Sequence, residues 1–548
     1  MNNIKNSLLA AFGSIVLLAC NKTIQKDYVN PNQPTTVDPS LILGTVLTDI
    51  SGTVTNTSAT GLGSGSQIGN LGGVASFDLA HRWSQYYCIN YNYYGTNTYS
   101  WQSGPFDGYT VLKNVVQMES EAATRKLPAV NPYAAIGKFI RAWYYYNMTM
   151  MMGDIPEATA LQPTASPTPA YTPQKQVFQY VLNILDTANT QLAALIAAND
   201  ITITGNSQDI YYGGDLKKWQ KAVNSFKLRV LINLSKKAAD PDLQVAQQFA
   251  KIFNTPGTYP VFTGQADDLA FVYQPTYNLY YFSPATYGSI GSRYNLAATY
   301  TQAVAGLNDP RVFVTGEPAW KLVDSLGYAP TDFRAFRGSA TGENIITMQG
   351  EASAGLYSFI NRKKYFSTFV GEPDVLVGYK EMCFNIAEAA NLGWITANPE
   401  TWYKTGITES FKFYGLDPTQ TSFTAYFQTP TQGSATEYTG FPFTFDFNAY
   451  YNQASVKYAG GAAGINQIAL QKYIVMFANS AWEAYYSYRR TGIPALTGGT
   501  GVGNSGLIPQ RWAYPISEQT INSTNWKAAL ASQGFASDDL NGTLWLLK

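Results

Sequence analysis

Apolar residues recur at intervals of three and four along most of the chain from about residue 75, and this spacing predicts amphipathic α-helices. The clearest helix is predicted over residues 131–152. Gly153 and Pro156 end it, because glycine permits a C-terminal turn and proline blocks continuation. Further helices are predicted where the same spacing returns: after Pro173, after the capping residue Asp215, over residues 375–389, from Pro399, and over residues 474–488 as a last long helix. Short turns join several of them, which predicts helical hairpins.

Stretches rich in Gly, Pro, Thr and Tyr separate the helices, chiefly at residues 255–293, 315–373 and 416–457. Phenylalanine occupies every second position of 441–447, a period that predicts a strand, and Pro442 places that strand at a sheet edge. Loops of this length in a compact domain usually carry function. The pattern therefore predicts a mostly α-helical scaffold with long irregular insertions and a few short strands.

The N-terminal residues predict export and a lipid anchor. Residues 1–19 have the pattern of a signal peptide, and their apolar run is too short to span a bilayer as a helix. Leu17-Leu18-Ala19-Cys20 has the pattern of a lipobox, so cleavage before Cys20 would leave its thiol and amine to receive diacylglycerol and a further acyl chain such as palmitate. Residues 20–40, with three prolines, are expected to form the lipidated N-terminus and tether. Residues 41–548 are expected to form a single domain.

Composition narrows the function classes. The 36 basic and 36 acidic residues balance, so nothing favours nucleic acid as a partner. Besides Cys20 the chain has only Cys88 and Cys383, which are expected to pack as small apolar residues, with a bridge between them as the less favoured alternative. The basic side of the helix after Asp215 is expected to be solvated.

Candidate chemistry for catalysis is sparse. His81 is the only histidine, so a nucleophile–histidine arrangement depends on one residue, and histidine–cysteine metal sites need more ligands. The G-x-G-x-x-G at 501–506 is followed by Pro509, which bars the helix that a dinucleotide site requires, so a loop is expected. We therefore expect no enzyme activity, cofactor or metal. One alternative stays open, a glycoside hydrolase that uses a carboxylate pair: Asp154 with Glu157, Asp267 with Asp268, or Glu381 with Glu388.

Aromatic residues are the unusual feature, with 40 Tyr, 28 Phe and 11 Trp. Two clusters, at residues 86–101 and 273–294, mix tyrosine with Asn and Gln. This mixture suits sugars, whose C–H faces lie on rings and whose hydroxyls bind amides. Peptides could use the same surface, and the alternative is that many of these rings only pack loops onto helices. Trp101 is the first predicted contact, for its large ring and because residues 102–105 have the pattern of an exposed turn. The other predicted ligand-binding residues are Tyr94, Asn97 and Tyr99 in the first cluster and Tyr280, Tyr281 and Arg293 in the second.

Several segments, in order along the chain, resemble the SusD/RagB family of nutrient-binding outer-membrane lipoproteins. The motifs that carry the resemblance are Leu17-Leu18-Ala19-Cys20, Gly153-Asp154-Ile155-Pro156, Asn224-Ser225-Phe226-Lys227-Leu228-Arg229, Ala387-Glu388-Ala389, Glu483 with Arg489-Arg490-Thr491-Gly492, and Pro509-Gln510-Arg511-Trp512 with Tyr514-Pro515.

The resemblance implies a fold of four tetratricopeptide-like hairpins, and these motif positions look structural. It also implies a SusC-like TonB-dependent outer-membrane transporter as partner, which this protein would cap like a hinged lid. The protein is expected to be lipid-anchored to the outer membrane and exposed at the cell surface. Oligosaccharides are the first expected ligand and peptides the close alternative. A surface glycoside hydrolase and a purely structural scaffold are the rivals from other classes.

Overall fold

The computed structural model describes residues 36–51, 79–162, 164–276 and 279–548. The expected signal peptide, Cys20 and most of the tether lie outside the described residues, as does most of the Gly/Ser/Thr-rich stretch before residue 79. Within the described ranges, no helix is both long enough and apolar enough to cross a membrane.

Helices dominate the described chain. The long helices and those near the candidate site are α1 (Pro39–Ser51), α2 (Leu79–Trp83), α3 (Gly108–Thr124), α4 (Pro132–Met152), α5 (Gln174–Ala197), α6 (Leu216–Asn233), α7 (Val245–Asn254), α8 (Pro284–Ile290) and α9 (Ala298–Val304). The remaining helices are α10 (Val312–Thr315), α11 (Trp320–Leu326), α12 (Ile345–Ser353), α13 (Arg362–Phe366), α14 (Tyr379–Asn391), α15 (Pro399–Phe413), α16 (Phe447–Tyr451), α17 (Gly461–Val475), α18 (Glu483–Thr491), α19 (Glu518–Ile521) and α20 (Ser523–Gln533).

Three small antiparallel sheets join distant parts of the described chain. Their strands are β1 (Tyr87–Ile89), β2 (Leu269–Phe271), β3 (Tyr294–Leu296), β4 (Asp374–Val377), β5 (Ser422–Phe427) and β6 (Thr439–Thr444). Strand β1 pairs with β3, β2 with β4, and β5 with β6. The alternating phenylalanines correctly predicted β6, and Pro442 lies in this two-stranded sheet, where each strand has an open edge.

Neighbouring long helices pack as hairpins, α4 against α5, α5 against α6, and α14 against α15. Their predicted starts are confirmed: the Asn131 side chain accepts a hydrogen bond from the Ala134 amide at the start of α4, and Asp215 accepts from Lys217 and Lys218 at the start of α6. The mostly helical fold class is therefore confirmed.

Three expectations about individual elements are wrong. The last long helix is two helices, α17 and α18, because residues 476–482 turn between them with positive φ at Ala478, Ser480 and Ala481. Val375 lies in β4 and not at the start of α14. The basic side of α6 is partly buried, since Lys227 and Arg229 are each 2% exposed.

Ion pairs explain why those charges can lie inside. Lys227 pairs with Asp186 at 2.6 Å, and Arg229 donates to both carboxylate oxygens of Glu381 on α14 and to the Leu376 carbonyl. Arg490 on α18 binds Glu388 on α14 in the same two-point way. A buried charge needs such a partner to offset desolvation. The motif residues Arg229, Glu388 and Arg490 therefore connect helices that are far apart in sequence.

Candidate functional site

The pairing of β1 with β3 brings the two aromatic segments of the sequence together. Ile89 pairs with Tyr294 and Tyr87 with Leu296, so the first aromatic loop (residues 90–102) leaves the sheet beside the point where the second (residues 273–293) enters it. Asn90 continues the contact, because its amide donates to the Arg293 carbonyl at 3.1 Å and its side chain donates to the Ser292 carbonyl at 3.2 Å. The two segments singled out from the sequence are thus neighbours.

Tyr91, Tyr93 and Arg293 form the accessible part of this junction, and we call these three residues the aromatic site. The Arg293 guanidinium carbon lies 4.3 Å from the centre of the Tyr91 ring, a cation–π contact that joins the two loops. The Tyr93 side chain is 78% exposed, and its ring centre lies 6.4 Å from that of Tyr91. Arg293 is half-buried, as is the predicted Tyr281, whose ring contacts Phe282.

Trp101 has a different place from the one predicted. It is fully buried, and its ring stacks on Trp512 with the two ring centres 3.5 Å apart. The expected exposed turn after it is confirmed only in its first half, since the chain bends at an exposed Gln102 and a half-buried Ser103. Gly104 and Pro105 are buried: the Gly104 amide donates to the Ala513 carbonyl, and a Cβ on Gly104 would lie 2.5 Å from that oxygen. The large indole ring that suggested a sugar contact instead fills the core, where it removes the most apolar area from water.

Tyr99, Asn97 and Tyr280 are also buried, at 0%, 3% and 2% exposure. The Tyr99 hydroxyl donates to the Trp83 carbonyl at 2.7 Å. The Asn97 side chain accepts from the Ile89 amide and donates to the Ile89 carbonyl, both at 3.0 Å, and so satisfies the backbone of β1 as a further strand would. All three residues lie in the interior, and the expectation that they lie at the surface is wrong.

Tyr94 belongs to the 3-10 turn Asn92–Tyr94, and its side chain lies outside the described part of the structure. The turn ends at Gly95, whose φ of 135° is a conformation that favours glycine. A Cβ built on Gly95 would lie 3.5 Å from Nη1 of Arg82 on α2. The glycine therefore lets the turn that carries Tyr93 fold back closely over Arg82.

Sequence reasoning placed Tyr91 and Tyr93 in the first cluster but did not select them as contacts. The signal that distinguishes them is local: each alternates with asparagine in Asn90-Tyr91-Asn92-Tyr93, and a glycine follows within two residues of Tyr93. Such a composition is typical of a surface turn. Trp101, by contrast, is followed by a glycine whose role is close backbone contact, which composition alone does not reveal.

Five of the six carboxylates considered for hydrolysis, all except Glu157, are held by other groups. Glu381 and Glu388 bind arginines in the helical core, and Asp154 is buried and accepts from the Gln174 amide and the Ser532 hydroxyl. Asp267 pairs with Lys221 at 2.8 Å, while Asp268 accepts from the Tyr379 amide. Each of these five carboxylates has a structural contact of its own.

His81 and the two cysteines are likewise in the interior. His81 is fully buried, and desolvation lowers its pKa to about 3, so its imidazole is neutral at ordinary pH. Cys88 and Cys383 are buried and unbridged, and desolvation raises the pKa of the Cys88 thiol to about 11. In the described part of the chain, no three His, Cys, Asp or Glu side chains are grouped so that they could hold a metal ion.

Helical hairpins that carry a surface aromatic junction define a binding protein built on a helical scaffold. The family model described as starch-binding and associating with the outer membrane, SusD-like, matches residues 31–515. This chain belongs to that SusD-like family. A search of curated proteins gave no match.

Solved structures agree with this assignment. A SusD homologue from Bacteroides fragilis NCTC 9343 is 26% identical, with 93% of this chain and 100% of that chain covered and a TM-score of 0.75. A second homologue from the same strain is 27% identical, with 94% and 100% covered and a TM-score of 0.71. A chitin-binding SusD homologue from Flavobacterium johnsoniae is 19% identical over 92% of this chain and 98% of that chain, with a TM-score of 0.66, and this likeness shows the shared fold.

Proposed function

We propose that this chain binds oligosaccharides at the aromatic site and delivers them to a partner transporter in the outer membrane, without chemical change. The observation that carries the proposal is the β1–β3 junction, where Tyr93 is exposed beside the Arg293–Tyr91 stack. A sugar ring can lay its C–H face on an exposed phenol ring while its hydroxyls bind the polar groups around it. The family description as starch-binding supports a glycan as the first ligand to test.

The test is a glycan array that also carries peptides, probed with the purified protein and followed by calorimetry. Tyr93→Ala and Tyr91→Ala are each expected to weaken binding of the array hit several-fold, because one aromatic contact contributes about 0.5–1.5 kcal/mol beyond the area that it buries. Tyr426→Ala is the matched control, since Tyr426 is an accessible tyrosine (48% exposed) on a separate hairpin, β5–β6. Equal loss in Tyr426→Ala, or unchanged affinity in both loop variants, would contradict this location of the site. A peptide as the strongest hit would contradict a glycan ligand.

Trp101, Tyr94, Asn97, Tyr99, Tyr280 and Tyr281 enter this proposal in two ways. The buried members are proposed to hold the loops that present the aromatic site, whereas the half-buried Tyr281 and Tyr94, in the turn beside Tyr93, are proposed as further ligand contacts. Calorimetry on Tyr94→Ala and Tyr281→Ala tests the second group. Unchanged affinity in both would restrict the site to Tyr91, Tyr93 and Arg293.

Delivery requires the protein to stay at the membrane, and we propose that lipid on Cys20 anchors it there, at the cell surface. The lipobox pattern and the family description as associating with the outer membrane support this anchor. Cys20→Ala is expected to abolish palmitate labelling and to release the protein from the outer-membrane fraction, since the thioether needs that thiol. Undiminished labelling would contradict the anchor.

The partner is proposed to be a SusC-like TonB-dependent barrel. Purification of the tagged protein from its own outer membrane, followed by mass spectrometry, should recover such a barrel in stoichiometric amount. Recovery of the protein alone from mild detergent would count against a stable complex. Steady hydrolysis of a bound oligosaccharide that is lost in Asp154→Asn would contradict the proposal that the protein only binds.

A further inference from the structure

The two chain segments that build the aromatic site contain no acidic residue. Residues 79–106 and 269–308 make up 68 residues without an Asp or Glu, whereas the whole chain has 36 among 548. At that average frequency a stretch of this length would hold four or five. The same segments contain two arginines, Arg82 and Arg293, and no lysine. These segments lie between Asp78 and Asp107 and between Asp268 and Asp309, and the two arginines are their only charged side chains.

Both arginines border the turn that carries Tyr93. Arg293 lies over the Tyr91 ring on one side, and Nη1 of Arg82 approaches Gly95 at the other end of the turn. His81 adds no charge, because burial keeps its imidazole neutral. The positive charges beside this turn thus belong to two guanidinium groups.

Arg82 has no ionic partner among the described residues. It is half-buried, its Nε is buried without a hydrogen-bond partner, and no described carboxylate lies within 4 Å of its guanidinium. Most other buried or half-buried arginines of the scaffold are held by carboxylates, such as Arg229 by Glu381 and Arg490 by Glu388, each through both carboxylate oxygens. An arginine without such a pair, beside an exposed ring, is suited to bind an anionic group from outside.

The neighbouring acidic groups do not neutralise this charge directly. Glu343 and Arg82 are both in electrostatic range of Cys88 on β1. The carboxylate of Glu343, however, accepts hydrogen bonds from the Tyr357 hydroxyl at 2.9 and 3.0 Å. Glu351 lies 3.5 Å from Arg337. These two carboxylates have contacts of their own on α12 and the segment around it.

We infer that the ligand is an anionic oligosaccharide, one whose sugar rings stack at Tyr91 and Tyr93 while a carboxylate or sulfate group binds Arg82. Arg293 supports the same selectivity as a second positive charge. This inference rests on the proposed function, because it names the class of glycan that the aromatic site takes. A guanidinium matches the two oxygens of a carboxylate or of a sulfate ester equally well, so a uronic acid and a sulfated sugar share the chemistry.

Calorimetry with the full-length protein in mild detergent tests the inference with four probes of similar length. The probes are a galacturonic acid oligosaccharide, a sulfated galactose oligosaccharide, the neutral galactose oligosaccharide and a glutamate-rich peptide. We expect one of the two anionic glycans to bind about tenfold more tightly than the neutral one at low salt, as a charge-assisted contact allows. This advantage should shrink at about 0.5 M salt, where screening is strong.

The Arg82 variants separate recognition of charge from stacking. Arg82→Gln should lower affinity for the anionic glycan about tenfold and leave affinity for the neutral glycan within about twofold. Arg82→Lys should restore part of the loss, since it keeps the charge without the planar fork. Arg334→Gln, at a 71% exposed arginine paired with Asp332, is the matched control and should change neither affinity.

The outcomes distinguish this inference from the proposed function. Binding of the neutral glycan as tight as that of both anionic ones, or an equal loss of all affinities in Arg82→Gln, overturns the anionic ligand but leaves a glycan-binding site. Preference for the acidic peptide overturns the glycan. Failure of every glycan to bind, with the wild-type protein folded, overturns the proposed function itself. The salt dependence of the wild-type protein needs no variant, so it decides the point even if Arg82→Gln does not fold.

Discussion

Helix α6 and the first aromatic loop both carry arginine, but the two regions use it in opposite ways. Arg229 on α6 is 2% exposed and binds both carboxylate oxygens of Glu381. Its charge is therefore neutralised in an ion pair that joins α6 to α14. Arg82 borders the loop in a segment without acidic residues and has no ion pair among the described side chains. An arginine with an acidic side chain beside it thus stabilises the fold through an ion pair, whereas an arginine without one stays available for a ligand.

The largest effect should come from breaking the scaffold pair. Glu381→Ala leaves the Arg229 charge buried without its partner, and we expect a loss of about 3–5 kcal/mol in the free energy of unfolding, measured in guanidinium chloride. Asp332→Ala is the control, because it removes the partner of the exposed Arg334 and should cost less than about 1 kcal/mol. Similar losses in the two variants would show that burial does not determine the value of these pairs. Glycan affinity should stay unchanged in both.

Trp101 and Tyr93 test the same contrast within one aromatic loop. Trp101→Ala opens a cavity beside Trp512 and should lower the free energy of unfolding by about 3 kcal/mol. This loss is at the lower end of the range for such a change, because the variant also removes an indole N–H that is buried without a hydrogen-bond partner. Tyr93→Ala should change stability by less than about 0.5 kcal/mol at its exposed position and weaken glycan binding. Thermal unfolding and calorimetry on the same preparations measure both properties. A stable Trp101→Ala variant that loses binding would reverse the assignment.

The sequence predicted the helices well because their physics is local. Asn131, Gly153 and Asp215 act within one turn of their own positions, and the spacing of apolar residues reports directly which side of a helix is buried. Composition singled out both aromatic segments, and the pairing of β1 with β3 shows that they are neighbours. What it could not predict is the depth of each ring, since the burial of Trp101 depends on Trp512, more than 400 residues away.

The burial of the charged residues could not be predicted for the same reason. Lys227 and Arg229 were expected in solvent because their partners, Asp186 and Glu381, cannot be paired with them by spacing along the chain. The break between α17 and α18 depends on positive φ angles at Ala478 and Ser480. Neither alanine nor serine normally favours that backbone conformation. Long-range contacts therefore decided each of these positions.

Acid should weaken the scaffold through His81. Burial lowers the folded-state pKa of His81 to about 3, below its value of about 6.5 in an unfolded chain, so protons bind preferentially to the unfolded chain. This contribution to stability is complete above pH 6.5 and is lost as the pH falls toward 3. Between pH 7 and 4.5 it should amount to roughly 2–3 kcal/mol. Unfolding of the wild type and of His81→Phe at the two pH values measures it, and equal acid losses in both would contradict it.

The smallest effect should come from the helix cap that the sequence identified. Asp215 accepts hydrogen bonds from the amides of Lys217 and Lys218 at 2.9 and 3.2 Å, so Asp215→Ala leaves both donors to solvent and should cost about 1 kcal/mol. Asp215→Asn keeps an accepting oxygen and should retain most of that stability, which makes it the matched control. Denaturant unfolding measures the difference. Because the cap lies on α6 and not on the aromatic loops, glycan affinity should be the same in both variants, and any loss confined to Asp215→Ala would mean that α6 and the aromatic site are coupled.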